Sequence, residues 1–298
     1  MQRGRYYLGR VIKRGLLDQE KLIDAILESA VVSVRNYTWT ITDAISGELA
    51  GKPYVFGKLA KYYLQGHVTV VDSERRSQID ALTPNLLQAS SPFIYLPEYS
   101  GIAYLHVWNG IKEGVFRRRF QAIIEATYEN FVVGCMVEPI TNYRTFEARV
   151  SKLERFYEIS ANIHPPNPLF GRICANLTEY MRERNADEVA IRETNEGERG
   201  IQSNIIEIIQ GILNDPEYSP EEVPAITDAA LLMAADGYGS GKVIGEEAEN
   251  RITIRTGDNQ KSFLFAKDPP PGELAREAKN ILNRINIERG MGHGEESQ

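Results

Sequence analysis

Apolar positions recur along this chain with two different periods, and the switches between them mark its elements. Leu17, Leu22, Ile23, Ala25, Ile26 and Leu27 follow the three- and four-residue spacing of an amphipathic helix that runs to about Ala30. From Val31 the texture changes. Val31–Ile45, Tyr54–Leu64 and His67–Asp72 are rich in β-branched and aromatic residues and are separated by glycine-containing breaks, which predicts a strand series. Residues 73–91 read as a polar connection with room for a short helix. Ser91–Trp108 then holds two β-rich runs around Pro97–Gly101, a hairpin or two successive strands. The clearest helix is Val115–Phe131, where Phe116, Phe120, Ile123, Ile124, Thr127 and Phe131 form one apolar stripe.

Val132–Val137 predicts a buried strand, residues 145–153 a short helix, and Arg155–His164 a half-buried strand in which Tyr157, Ile159, Ala161 and Ile163 alternate with more polar neighbours. The segment His164-Pro-Pro-Asn-Pro-Leu-Phe-Gly171 reads as a strand-to-helix corner. Pro165 and Pro166 stop the strand, Asn167 caps, and Pro168 takes the first helical position, where its missing N–H has no helical partner. The helix that follows runs to about Arg184. Glu188–Arg192 is then expected as a strand and Ile201–Leu213 as a helix. Ala229–Ala235, Lys242–Glu246, Arg251–Arg255 and Ser262–Ala266 are expected as an antiparallel meander, with a final helix carried by Leu274, Ala278, Ile281 and Ile285 and a disordered tail from Gly290.

This order predicts an α+β fold, a mixed or antiparallel sheet with helices packed on one side and a C-terminal meander plus helix. Residues 101–193 also allow a ferredoxin-like layer. The expected division is 1–166, strand-rich and aromatic-rich, and 167–298, acidic, with one continuous domain as the alternative.

Charge sharpens the division. The net charge is −7, yet residues 1–166 carry 20 basic against 17 acidic residues, while 167–298 carry 14 against 24. The first half also holds 12 of the 15 tyrosines and both tryptophans. Phosphate is repelled by the second half, so a nucleic-acid partner, DNA or RNA, is expected on the first. The longest apolar runs are about seven residues against the roughly twenty of a membrane helix, and no secretory h-region is present, so a cytoplasmic protein without a membrane partner is expected. Two cysteines, Cys135 and Cys174, both in apolar stretches, read as buried free thiols.

Catalytic signatures fail one by one. Asp236-Gly-Tyr-Gly-Ser-Gly-Lys-Val243 has aspartate where a Walker loop needs glycine and valine where it needs Ser or Thr, and reads as a hairpin loop. The four histidines are scattered, with no ligand-spaced partner, and no G-x-S-x-G elbow occurs. No metal or cofactor is expected. His106 alternates with Tyr104 and Trp108 on one strand face, the position of a cleft-lining group or of an ordinary sheet histidine. Asp72, Glu98 and Glu138 each sit near a strand end, where a metal-dependent hydrolase gathers its carboxylates.

The basic residues are the strongest lead. Arg3, Arg5 and Arg10 interleave with Tyr6 and Tyr7, and Arg117, Arg118 and Arg119 open the clearest helix, sweeping about 200° of it, so that one points away from any single ligand. Tyr95, Tyr99, Tyr104 and Trp108 offer stacking faces on a sheet. The competing account is solvated arginines and core aromatics.

Ser91–Ile111 and Ile163–Gly171, the latter reading IHPPNPLFG, resemble the marked stretches of an uncharacterised family of bacterial and phage-borne proteins of about this length. The resemblance implies a prokaryotic context linked to mobile elements or antiviral defence, and carries no catalytic residue. Together these observations favour a nucleic-acid-associated binding or regulatory protein, as a homo-oligomer or with a defence-complex partner. A metal-dependent hydrolase and a ligand-free assembly subunit are the alternatives.

Overall fold

The computed structural model describes residues 2–129, 131, 133–166, 169–215 and 217–293. Its largest sheet is antiparallel throughout. The order is β13 (Ser262–Ala266), β1 (Arg3–Gly15), β6 (Gly101–Leu105), β5 (Ser77–Leu96), β4 (Lys52–Asp72), β3 (Tyr37–Leu49) and β2 (Val32–Val34). β7 (Val133–Pro139) takes the same edge of β1 as β13, pairing along Gly9–Gly15 while β13 pairs along Arg3–Tyr7. The N-terminal basic segment is therefore the strand on which three others converge.

One face of this sheet is covered by α1 (Gln19–Leu27) and α2 (Glu113–Thr127), whose Phe116, Phe120, Ile123 and Ile124 pack onto Phe93, Tyr95 and Tyr104. The stripe read from the sequence is thus the buried face of α2. The opposite face carries α7 (Pro271–Glu288), with Leu274, Ala278, Leu282 and Ile285 against Leu8, Ile94 and Ala103. The α+β class is as expected, but helices cover both faces rather than one.

A second antiparallel sheet has the order β10 (Val189–Thr194), β8 (Arg155–Ile163), β11 (Gly239–Glu247) and β12 (Asn250–Arg255). Its apolar face meets α3 (Tyr143–Val150), α4 (Ala175–Glu183), α5 (Ile205–Asn214) and α6 (Ile226–Met233) around Ile159, Ile163, Met181, Ile208 and Leu231. No ferredoxin-like layer forms over 101–193, because β6 and β7 belong to the first sheet and β8 and β10 to the second. The meander is also corrected. Ala229–Ala235 is helix α6 running into a π-helical turn at Ala234–Tyr238, and β13 leaves β12 to pair with β1. The glycine-rich segment belongs to that turn and to β11 rather than to a loose hairpin. Gly239, at φ 155, sits where a Cβ would collide with the Asn162 carbonyl.

Residues 77–90, expected as a polar connection, are strand. β4 from Tyr63 and β5 up to Leu86 pair only with each other, forming a two-stranded arm. At the proline corner Asn167 and Pro168 lie outside the described residues. The helix there begins later than expected, at Ala175, after β9 (Leu169–Gly171) and a 3₁₀ turn. β9 pairs with β14 (Met291–His293), which stands where the sequence suggested a disordered tail; residues 294–298 lie outside the described residues.

The polar face of the second sheet carries one row across all four strands, Arg192, Ser160, Lys242 and Arg255, set by the register. Buried Glu158 accepts from Arg192 at 2.7 Å and from Lys242 at 2.9 Å, and these two contacts hold its carboxyl down to about 2. An unfolded glutamate titrates near about 4.3, so the folded state binds its proton less readily. Its stabilising contribution is complete above that value and is lost as pH falls toward about 2. We expect Glu158→Gln to lower the urea midpoint at neutral pH and to match the parent protein near pH 2. A constant difference from neutral to acid pH would show that the charge is not the source.

Candidate nucleic-acid interface

The hairpin of β2 and β3 turns at Arg35-Asn36, with Arg35 left-handed at φ 56. Beyond it the register sets Trp39 opposite Lys61 and Thr38 opposite Tyr62, so Tyr37 and Tyr63 fall beside each other on the same face as the Trp39–Lys61 pair. Their rings lie 4.7 Å apart and the Tyr63 hydroxyl donates to Tyr37 at 3.0 Å. That hydrogen bond, followed by the nearby Lys61 ammonium, lowers the Tyr37 phenol, and the same hydrogen bond, followed by burial, raises the Tyr63 phenol. Lys61 Nζ stands 3.6 Å from the centre of the Tyr37 ring.

Helix α2 supplies the rest. Arg119 reaches down over Trp39, 5.5 Å from its centre, and Arg118 is exposed beside it. Partial burial, then Arg118 and Arg35, lower the proton affinity of Arg119, so three guanidinium groups crowd one another. Among the described residues none of Arg35, Lys61, Arg118 and Arg119 has a carboxylate within 4.0 Å. Arg119 Nε is buried without a partner. Four cations without counter-charge surround the half-buried rings of Tyr37 and Tyr63, with Trp39 buried beneath, an arrangement suited to a phosphate backbone with stacked bases.

The structure divides the residues nominated from sequence. Arg118 and Arg119 are in this patch. Arg117 projects from the other flank of α2, as the helical sweep requires. Arg3 and Arg5 are exposed on β1, and Arg5 donates to Ser262 Oγ at 3.2 Å. Arg10 is corrected outright. It is fully buried, donating to the carbonyls of Asp236 (2.9 Å) and Tyr99 (2.7 Å) and to Asn286 Oδ1 (3.0 Å), with its guanidinium over Tyr238. Tyr95 and Tyr99 are buried too, Tyr95 donating to Gln19, and Tyr104 stacks on Phe116 at 4.2 Å. None of the three has a free face. Trp108 is 77 % exposed, beside His106, whose Nδ1 lies 2.8 Å from Glu113.

Arg35, Tyr37, Lys61 and Tyr63 were not nominated. Their signal was present as two-residue alternation in neighbouring strand-like runs, Tyr37/Trp39 and Lys61/Tyr63, but only the register shows that the runs face each other. The three strand-end carboxylates do not gather. Asp72 accepts from backbone N–H groups in the turn at the tip of the β4–β5 arm, Glu98 pairs with Lys279, and Glu138 lies under Arg117. Among the described residues no group of three His, Cys, Asp or Glu is placed to hold a metal ion. Cys135 and Cys174 are buried free thiols, pushed up by that burial. Among the described residues no helix is long and apolar enough to cross a membrane.

Comparison with known proteins gives one family match: the model described as "Domain of unknown function (DUF4747)" matches residues 20–213. No curated protein matches the chain.

Proposed function

The chain belongs to the DUF4747 family, and since that membership brings no activity with it, we propose from its own geometry that it binds single-stranded nucleic acid through the cation–aromatic patch of β3, β4 and α2. The observation that carries this reading is the set of four cations, Arg35, Lys61, Arg118 and Arg119, without carboxylate partners beside aromatic faces. Clustered like charges repel in the free protein, and an incoming phosphate chain relieves them. Tyr37 and Tyr63 are half-covered on the sheet, a posture that serves unpaired bases better than a closed duplex. The net charge of −7 disfavours a polyanion elsewhere on the surface, so binding is expected to be local. The matched family region contains the whole patch. A binding or regulatory role within a prokaryotic defence system fits this chemistry.

The test is fluorescence anisotropy with labelled single-stranded DNA and RNA across a salt series. Three to four phosphate contacts predict roughly a 20-fold or greater loss of affinity from about 50 to about 200 mM salt. Reversing both charges, Arg118→Glu with Arg119→Glu, is expected to abolish binding while leaving the melting temperature within a few degrees, because Arg118 is exposed, Arg119 is half-buried and neither belongs to a hydrophobic core. Absence of binding to either strand type at low salt would overturn the proposal.

A further inference from the structure

Arg117 opens onto a different feature. Two cavities of about 580 and 570 Å³ meet at Arg117, Gly257 and Asp258, in the junction between the two sheets. Each has the capacity of a small-molecule site. One is floored by the cationic row of the second sheet, and the other is walled by β1, α2 and the segment Gly257–Gln260.

Glu113, Glu138 and Asp258 line the same cavities as the arginines. Glu158 already engages Arg192 and Lys242. Glu113 Oε2 lies 2.8 Å from His106 Nδ1 without a hydrogen bond between them, and Asp258 accepts from the Arg255 backbone N–H at 3.2 Å with Arg149 3.8 Å away. Glu138 is pushed upward by burial, against the pull of Arg117. Arg5, Arg117 and Arg255 are left without a carboxylate within 4.0 Å among the described residues.

The polar groups of the same wall are also unused. Among the described residues Arg117 Nε, Asn259 Nδ2, Gln260 Oε1 and Glu113 Oε2 are buried and have no hydrogen-bond partner. A buried unpaired donor or acceptor costs roughly 1–3 kcal/mol, so four on one cavity wall are an unusual concentration. Nor are these amides on a loose loop. The Asn142 N–H donates to the Asn259 carbonyl at 2.6 Å, Thr141 bridges Gln260, and Gln260 Nε2 donates to the Gly257 carbonyl at 3.2 Å. Asn259 and Gln260 therefore offer a free donor and a free acceptor from a fixed backbone, and Tyr7 lines the same cavity.

We propose that this groove binds a nucleotide, with its phosphate held by Arg5, Arg117 and Arg255 and its base edge read by Asn259 and Gln260. Arg5 and Arg255 are exposed and Arg117 is half-buried, so all three can reach an incoming anion, and guanidinium is the group suited to phosphate. An adjacent free donor and acceptor match the edge of a heterocyclic base, as amide side chains do when they read adenine. A small dicarboxylate would satisfy the arginines but leave both amides unpaired. The site does not rest on the nucleic-acid reading, since Arg117 and the Arg118–Arg119 pair lie on different flanks of α2.

The experiment is calorimetric titration of the full chain with AMP, ATP and inorganic phosphate as separate probes. AMP or ATP is expected to bind, and inorganic phosphate to bind at least about tenfold more weakly. Arg117→Gln and Gln260→Ala are each expected to weaken the nucleotide by about tenfold, the loss of one hydrogen-bonded contact. Arg118→Gln with Arg119→Gln should leave its affinity unchanged. Gln260→Ala sits at a partly exposed position outside the hydrophobic cores, and its melting temperature establishes that the fold persists. Three outcomes would overturn the assignment: no binding of AMP or ATP at millimolar concentration, binding indifferent to both single variants, or phosphate binding as tightly as the nucleotides.

Discussion

Asp236→Ala is expected to lower stability by about 3–5 kcal/mol, the cost of leaving one member of a buried ion pair without its counter-charge. Asp236 lies in the π-helical turn between α6 and β11 and is 4 % exposed. One of its oxygens accepts both from Arg289 at 2.7 Å and from the Tyr143 hydroxyl at 2.8 Å. Arg289 is itself buried, lies 3.8 Å from the centre of the Tyr143 ring and donates at 2.5 Å to the Thr141 carbonyl. Burial and the Asp236 charge push the Tyr143 phenol well above its ordinary range, so the tyrosine stays a donor at all working pH values. Removing the carboxylate strands a guanidinium and a phenol together in a dry site. The consequence spreads because the network joins elements remote in sequence: α3 through Tyr143, the end of α7 through Arg289, and β1 through Arg10, which donates to the Asp236 carbonyl. Domains commonly have only about 5–15 kcal/mol of total stability, so this one change takes a large share. Urea denaturation measures it. Asp236→Asn keeps an acceptor and is expected to fall between the parent and Asp236→Ala; an unchanged midpoint for Asp236→Ala would show that the network does not carry stability.

That network also marks where sequence reading reached its limit. Periodicity located α1, α2 and α7, because each presents one apolar stripe to a sheet and leaves the other side polar. It failed at Ala229–Ala235, which is buried on all sides as helix α6 and its π-helical continuation. A segment without a polar face has no period to read, and a seven-residue apolar run fits strand or helix equally. It failed for the opposite reason at residues 77–90. There the β4–β5 arm is largely exposed on both faces, so the strand is specified by its backbone ladder with β4 rather than by alternating burial. Arg10 was misread because a cation between Gly9 and Val11 looks solvated locally; its acceptors are 89, 226 and 276 residues away. The candidate interface was half legible. The arginines of α2 stood out in one segment, whereas the Tyr37, Lys61 and Tyr63 ladder exists only through the register of β3 against β4.

Helix α2 carries Arg117 toward the groove and Arg118 and Arg119 toward the aromatic ladder, so what fixes α2 fixes both sites. Phe116 is its main anchor. It is fully buried, stacked on Tyr104 at 4.2 Å with the rings 5° from parallel, edge-on to Phe93 at 5.7 Å and 5.9 Å from Phe120. Truncation to alanine removes the transfer energy of the ring and leaves a cavity that the surrounding sheet cannot close, together about 3–5 kcal/mol. Phe116→Leu refills most of that volume and is expected to cost less than half as much. The two variants separate stability from function. In Phe116→Leu the sheet still sets the direction of α2, and binding of single-stranded nucleic acid is expected at near-parent affinity. In Phe116→Ala the helix loses its fixed orientation, and affinity should fall even at temperatures where the chain remains folded, although no charge has been removed. Equal nucleic-acid affinity for all three proteins well below their melting temperatures would mean that the arginines act without the geometry α2 provides. A graded loss that follows the size of the residue at 116 would tie the interface to the packing beneath it.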